Sequence, residues 1–375
     1  MRIIQLLPTL SRGDAIGNEA IAIRDMLRSA GRETGIYAEH VDPALPEGTA
    51  LDPERLPALA TEDILLYHLS TGTRLNKLLP TLGGRKLIRY HNITPPEFFR
   101  PYSPRAYKLG QKGYEGMRFL ADKADRVIAA SDYNRRQLRE NGYICPIDVC
   151  PILIPFSEYD QAPDPAIPAR FPSRSQGSEW TNLLFVGRIT PNKKQEDAIK
   201  AFCAYHRRYN PKSRLILAGN AAGMRRYDER LKAYAVALFP PDARFSGDQP
   251  SGIRDADPPV IFTGRVTFPE LLAWYRVSDA FLCMSEHEGF CVPLTEAMHF
   301  GKPIVAFRAA AVPETAGRGA LLLDTKDPET AAEAIHRVLT DADIREALRQ
   351  EQRKQLERYS YENTRKTLLD LILNS

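Results

Sequence analysis

Twice along this chain, short apolar runs alternate with amphipathic segments of helical period, and a stretch without usable period separates the two series. The first series has strand candidates at residues 2–7, 34–39, 63–69, 86–90, 126–130 and 147–153, with helical patterns such as 17–30, 104–123 and 132–141 between them. Repeated strand–helix–strand units predict a parallel sheet covered on both faces. From Pro155 to about Ser178, Pro, Ser, Asp and Gly take over, as in Ala162-Pro163-Asp164-Pro165, which reads as a linker. The second series then has strands at 181–186, 213–218, 259–263, 279–284, 303–307 and 320–323, and helices at about 192–208, 223–238, 267–277, 292–300 and 328–340. A Pro/Gly/Asp-rich loop, 239–258, interrupts it, and 343–373 is helical in pattern.

The expected fold class is therefore α/β, with two Rossmann-like domains whose parallel sheets face each other across a cleft. The expected boundaries are 1–155, a linker at 156–179, a second domain at 180–355, and a terminal helix at 356–375 that crosses back to the first domain. Open α/β sheets bind ligands outside the carboxyl ends of their strands, so functional residues are sought just after strands.

At 375 residues, with 43% apolar residues, the chain has ample material for two cores. A net charge of +4 argues against a general nucleic-acid binder. The opening apolar run Ile3-Ile4-Gln5-Leu6-Leu7 is soon followed by Arg12 and Asp14, so neither a signal peptide nor a spanning helix is expected, and the cytoplasm is the expected compartment. The five cysteines, at 145, 150, 203, 283 and 291, have no CxxC or Cys/His ligand spacing, which predicts reduced thiols and no structural zinc. Cys283 and Cys291 read as small buried apolar residues.

After the strand candidate ending at Met284 comes Ser285-Glu286-His287-Glu288-Gly289-Phe290-Cys291-Val292-Pro293-Leu294-Thr295-Glu296. Glu288 falls in the turn and Glu296 about two turns into a helix. Exposed amides at a helix start, with a glycine between two acids, suit a phosphate flanked by sugar hydroxyls. An ordinary helix start, with Glu288 near the dipole and Glu296 solvated, is the alternative.

This segment resembles the E-x7-E motif of the retaining GT-B glycosyltransferases, glycosyltransferase family 4, and Gly301-Lys302-Pro303-Ile304-Val305-Ala306 continues the likeness. The resemblance implies a metal-independent transferase with no cofactor. In it Glu288 binds donor-sugar hydroxyls and Glu296 the ribose, with Gly289, Phe290, Cys291, Val292 and Leu294 lining the donor site. Leu183-Leu184-Phe185-Val186-Gly187-Arg188-Ile189-Thr190-Pro191-Asn192-Lys193-Lys194 is similar to the family's phosphate-binding turn. There Gly187 gives close approach, and Arg188 and Lys193 hold the diphosphate, whose negative charge grows as it leaves. The family usually has a small residue where Lys194 stands. Ile261-Phe262-Thr263-Gly264-Arg265-Val266 resembles the base-contacting turn, with Gly264, Arg265 and Val266 meeting the nucleobase through main chain.

In the first half, Arg89-Tyr90-His91-Asn92-Ile93-Thr94 puts a histidine at a strand's carboxyl end, facing the expected cleft. The resemblance makes His91 the histidine near the reaction centre, although His68 stands in a similar place. The loop after the first strand carries Gly13, Asp14 and Gly17, in a looser turn than the family's Gly-Gly, as a phosphate or acceptor loop or as plain turn geometry. Between Arg74 and Tyr114 there are nine Lys/Arg and one acid, Glu97, interleaved with aromatics. This reads as a solvated basic face or as a peripheral contact with an anionic membrane or a phosphate-bearing lipid acceptor, with no nucleic acid. Asp255-Ala256-Asp257 and Asp341-Ala342-Asp343 have the DxD form, but no metal is expected at either.

The implied activity is retaining transfer of a hexosyl group, mannosyl or glucosyl, from a UDP- or GDP-sugar to a saccharide or lipid-linked acceptor in cell-surface polysaccharide synthesis. A sugar-nucleotide epimerase, a phosphorylase, or a non-catalytic subunit on the same architecture are the rival readings.

Overall fold

The computed structural model describes residues 1–11, 13–239 and 258–374. The chain divides into two compact units. The first comprises Met1–Ser157, Glu288–Val292 and Glu357–Ser375, and the second Glu158–His287 and Pro293–Leu356.

In the first unit, β1 (Ile3–Leu10), β2 (Thr34–Val41), β3 (Ile64–Leu69), β4 (Arg85–Tyr90), β5 (Arg126–Ala129) and β6 (Ile147–Val149) form an all-parallel sheet in the order β2-β1-β3-β4-β5-β6. The period of two along β3 decides which layer each side chain joins. Leu65, Tyr67 and Leu69 pack with Leu75 of α2 (Leu75–Leu78), Met117 of α3 (Pro104–Phe119) and Leu138 of α4 (Asp132–Glu140). Ile64 and Leu66 face the other way, onto Ile23, Met26 and Leu27 of α1 (Ala15–Ser29).

The second unit repeats the plan. Strands β7 (Thr181–Val186), β8 (Ser213–Ala218), β9 (Val260–Gly264), β10 (Ala280–Cys283), β11 (Ile304–Phe307) and β12 (Leu321–Leu323) lie in the order β12-β11-β10-β7-β8-β9, again parallel. Its helices are α5 (Ala166–Arg170), α6 (Gln195–Arg208), α7 (Arg225–Leu238), α8 (Phe268–Val277), α9 (Val292–His299), α10 (Val312–Ala316), α11 (Pro328–Thr340) and α12 (Ala342–Arg358). In both sheets the order reverses direction beside the first strand of the unit, β1 or β7, which leaves a crevice at that strand's carboxyl end.

Residues 158–179, expected as the linker, fall within the second unit, where α5 packs on α8. The helical stretch 343–373 is two helices, because Ser360 stops α12 and caps α13 (Tyr361–Leu373) by accepting the Asn363 amide at 3.3 Å. Leu368 and Ile372 of α13 are fully buried in the core of the first unit, each worth roughly 1.5–3 kcal/mol. Most of the expected loop 239–258, including Asp255 and Asp257, lies outside the described residues. No described helix is long and apolar enough to cross a membrane.

Candidate active site

The turns that follow β7, β8, β9 and β10 hold one another through main chain. Gly187 N donates to Ala218 O at 2.9 Å, Ile189 N to Asn220 O at 2.8 Å, and Gly219 N to Gly264 O at 3.1 Å. A Cβ at Gly219 would fall 1.9 Å from Gly187 O, so only glycine permits this approach. Sequence reading missed Gly219, because a lone glycine after a strand has no motif of its own. Arg188 is exposed, while its carbonyl accepts Gln195 Nε2 at 2.9 Å and so ties the turn to the first residue of α6. The half-buried Lys193 runs across Gly187: a Cβ there would meet Lys193 Cε at 3.7 Å.

Asn192 links this cationic turn to the acidic one. Its carbonyl accepts the Glu286 amide at 2.9 Å, and its Nδ2 donates to His287 O at 3.1 Å. Lys194 adopts a left-handed conformation (φ 52°), and its ammonium lies 3.3 Å from Glu286 Oε2. Lys326 completes that cluster, 2.8 Å from Glu286 Oε1 and 3.0 Å from Asp197 Oδ2. Arg265 is exposed and Val266 half-buried at the end of β9, beside Gly264.

Glu296 is the fifth residue of α9, about one turn in rather than two, and it is not solvated. Only 6% exposed, it accepts Tyr159 Oη on Oε1 and Tyr275 Oη on Oε2, both at 2.6 Å. Burial pushes its pKa up, and the two hydroxyls oppose that rise. Leu294, two residues earlier in the same helix, is fully buried.

The segment Glu288–Val292 belongs to the first unit. Glu288 is 8% exposed. A Cβ on Gly289 would lie 2.5 Å from Asn92 Cβ and 2.7 Å from His91 O, so this glycine is what lets the acidic turn sit against the turn after β4. Ser131 Oγ both accepts the Asn134 amide at 3.1 Å, capping α4, and donates to Gly289 O at 2.7 Å. Phe290 packs edge-on against Tyr359. Cys291, buried, has φ 70°, a conformation that normally selects glycine, just before Val292 opens α9.

His91 departs from expectation. Its side chain is 2% exposed and turned into the first unit instead of standing free at the strand end. Its Nε2 lies 2.8 Å from Nδ1 of His68, so the rival histidine is its partner, and the rings stack with centroids 5.1 Å apart. Burial lowers both histidine pKa values well below the ordinary range; His91 itself and Arg89 lower them further at His68 and His91 respectively. Arg89, counted from sequence in the basic segment, is buried in a two-bond pair with Glu19. Arg74 of the same segment pairs with Glu39 and Glu54.

Asp14 caps α1 by accepting the Gly17 amide at 2.8 Å, and a Cβ on Gly17 would lie 2.1 Å from Ser11 O. Gly13 has φ 85°. Turn geometry therefore accounts for all three residues. Asp341 Oδ1 accepts the amides of Asp343 and Ile344, each at 3.0 Å, so the second DxD is a helix cap. All five cysteines are free thiols, and all but Cys145 are buried.

Residues 181–341 match the family model described as glycosyl transferases group 1. The chain is 38% identical over 106 residues to a D-inositol 3-phosphate glycosyltransferase of Corynebacterium urealyticum, covering 27% of this chain and 24% of that protein. It is 25% identical over 237 residues to a GDP-mannose-dependent alpha-(1-6)-phosphatidylinositol monomannoside mannosyltransferase of Mycobacterium tuberculosis, covering 60% and 56%. The chain thus spans a quarter to little more than half of these relatives' length. Over the full length of both chains it superposes on Anabaena HepE, solved in complex with UDP and glucose, with a TM-score of 0.74 at 16% identity, a likeness of fold. The chain has a GT-B fold, and its residues 181–341 match the model of glycosyl transferases group 1.

Proposed function

We propose that this protein is a glycosyltransferase that moves a hexosyl group, mannosyl or glucosyl, from a UDP- or GDP-linked sugar to an acceptor hydroxyl with retention of anomeric configuration. The observation that carries this reading is the Asn192 link, which joins the Arg188/Lys193 turn to the turn leading into Glu288. A turn that carries two cations and a following segment that carries two acids are the residue types that suit a diphosphate joined to neutral polyols. The contact of Gly289 with His91 and Asn92 adds the histidine's turn to the same acidic segment.

In this reading Arg188 and Lys193 bind the diphosphate and stabilise the charge it gains as its bond to the anomeric carbon breaks. The diphosphate leaves with the bonding electron pair. The acceptor oxygen bonds to the anomeric carbon from the same face, and its proton passes to the departing phosphate oxygen. Glu288 orients the sugar, and Glu296 the ribose. Gly264, Arg265 and Val266 meet the base; Gly187, Gly289, Phe290, Cys291, Val292 and Leu294 line the donor site. His91 stands near the reaction centre, with Gly13, Asp14 and Gly17 towards the acceptor. No step calls for a metal or a cofactor.

The acceptor proposed is a saccharide or a lipid-linked saccharide of cell-surface polysaccharide synthesis, used in the cytoplasm at the inner face of the membrane. Support comes from Lys77, Arg100, Arg105, Lys108 and Lys112, which are exposed, whereas Arg74 and Arg89 are paired with acids.

The test is nucleoside diphosphate release from UDP- and GDP-sugars, with and without acceptor extracts, in wild type and in Arg188→Ala and Glu288→Ala. Acceptor-dependent release that drops at least 100-fold in both variants supports the reading. Isomerised donor without release indicates an epimerase, and near-normal release in Glu288→Ala overturns the donor site.

A further inference from the structure

Both oxygens of the Glu296 carboxylate are engaged by tyrosine hydroxyls that cannot easily turn away. Tyr275 is fully buried, its ring stacked on Phe300 with centroids 5.1 Å apart and planes 7° apart, and on Phe281 at 6.2 Å. Tyr159 meets Phe268 edge-on at 5.1 Å, His299 at 5.7 Å, and lies beside Phe300 at 6.3 Å. Phe300 thus braces both rings. Burial and the nearby Glu296 carboxylate raise the Tyr159 pKa, so this phenol is protonated at neutral pH, its hydroxyl donates and Glu296 accepts. The Tyr275 hydroxyl has a second acceptor, Pro293 O at 3.4 Å, but Glu296 at 2.6 Å is much the closer.

A carboxylate offers about four lone-pair directions, and the two tyrosines take one on each oxygen. One direction on each oxygen is left, at fixed spacing and orientation. That is the acceptor pair a vicinal diol requires: two adjacent hydroxyls, each donating to a different oxygen. A merely buried glutamate would need only to have its charge satisfied. Here the hydroxyls arrive from two separate elements of the second unit, one from the turn at 156–160 and one from α8, and fix the carboxylate plane as well.

We propose that Tyr159 and Tyr275 are positioning residues that orient Glu296 to accept the 2′- and 3′-hydroxyls of a nucleoside diphosphate ribose. This rests on the donor-site reading above and extends it. The pair sets discrimination for ribose over deoxyribose, and it acts on donor binding, away from the bond that breaks.

The experiment is calorimetric titration of wild type, Tyr159→Phe and Tyr275→Phe with UDP and GDP and with their 2′-deoxy and 3′-deoxy counterparts, alongside steady-state kinetics. Wild type is expected to bind the ribonucleotide about 10- to 100-fold more tightly than the deoxynucleotides, as for hydrogen bonds to a charged group. Each Phe variant is expected to lose most of that ratio while deoxynucleotide affinity holds, and to raise KM several-fold with kcat little changed. Equal loss of affinity for ribo- and deoxynucleotides would mark the tyrosines as structural only and overturn the proposal, as would full retention of the ratio in both variants. Failure of the wild type to bind any nucleotide would instead overturn the donor-site reading on which the proposal rests. Thermal melts of both variants exclude unfolding as a cause, and two tyrosines from different elements give two independent trials.

Discussion

His91 Nε2 lies 2.8 Å from His68 Nδ1, and the proton between them has a determined owner. Gln5 Nε2 donates to Ala20 O at 3.0 Å, which leaves its Oε1 to accept from His68 Nε2 at 2.9 Å. His68 therefore carries its proton on Nε2 and presents a bare Nδ1, so His91 must donate from Nε2. The His91 Nδ1 is then also bare, 3.6 Å from Glu19 Oε2 and without a hydrogen-bond partner among the described residues.

A pH dependence of stability follows from that arrangement. Both imidazoles are held neutral, with pKa values well below the ordinary 6.5, against Glu19, Arg89 and Gln5 as their facing groups. Below about pH 6.5 the unfolded chain takes up protons that the folded chain refuses, so stability is full above that pH and falls as pH drops. The slope is up to about 1.4 kcal/mol per pH unit for each histidine. His206, lowered by burial to about 4, pulls in the same direction. Urea melts at pH 7.5, 6.5 and 5.5 should show the loss, and His91→Gln should flatten it. Equal slopes in the variant and the wild type would refute the assignment. Asp63, held low by Arg2, acts in a separate window, below the usual carboxylate range.

The Glu19–Arg89 pair should dominate the stability of the first unit. Arg89 Nη2 and Nε donate to Glu19 at 2.7 and 3.1 Å, and Nη1 and Nη2 donate to Cys150 O and Pro151 O at 2.8 and 2.9 Å. Glu19 also accepts the Leu153 amide at 2.9 Å, so the pair ties α1 and β4 to the segment after β6. Removing one partner strands a buried charge, and Glu19→Gln or Arg89→Met should cost about 3–5 kcal/mol. The double substitution Glu19→Leu/Arg89→Met should cost less than the sum of the singles, as read by urea denaturation. Strict additivity would contradict the coupling.

Arg89 also marks the limit of what sequence can reveal here. The strands were legible because each parallel strand is a short apolar run bounded by turn residues; 213–218, for example, is recovered with no shift in its bounds. Charge counting could not see that Arg89 points inward, since its partner is 70 positions away. Tyr159 was lost in a Pro-rich stretch for the same reason, its carboxylate partner being 137 positions distant. The acid pair, the Arg188/Lys193 turn and His91 were singled out through motif resemblance. Burial of the His91 ring, and the partners of Glu296, depend on contacts that no local pattern encodes.

Gly289 gives a sharper test of the acidic turn. Alanine there would put a Cβ 2.5 Å from Asn92 Cβ and 2.7 Å from His91 O, and Asn92 is itself already in a left-handed conformation at φ 86°. Gly289→Ala should therefore cost about 1–3 kcal/mol through overpacking and lower kcat/KM at least tenfold. Asn92→Gly beside it removes the nearer clash and should recover part of both. If Gly289→Ala leaves melting temperature and turnover unchanged, the two turns do not pack as described.

The ionic cluster that Lys194 and Lys326 form with Glu286 and Asp197 predicts, on the proposed donor site, an effect that depends on salt. Lys326 holds Asp197 and Glu286 at 3.0 and 2.8 Å, and Lys194 adds a second contact to Glu286 at 3.3 Å, all partly shielded from water. Lys326→Met leaves Asp197 and Glu286 under-neutralised, and Glu286 is two residues from Glu288, in the turn that Asn192 ties to Lys193's neighbours. The added negative potential opposes a diphosphate directly, so nucleoside diphosphate affinity should fall several-fold at low ionic strength. Because the potential acts over a distance comparable with the screening length of about 10 Å at 0.1 M salt, the deficit should shrink as salt is raised to 0.5 M. A deficit independent of salt would point to displacement of the turn instead, and unchanged affinity at low salt would mean that no diphosphate binds near this cluster. Lys194→Met, which removes the longer contact to Glu286 and a 3.9 Å contact to Glu196, should change affinity in the same direction by less.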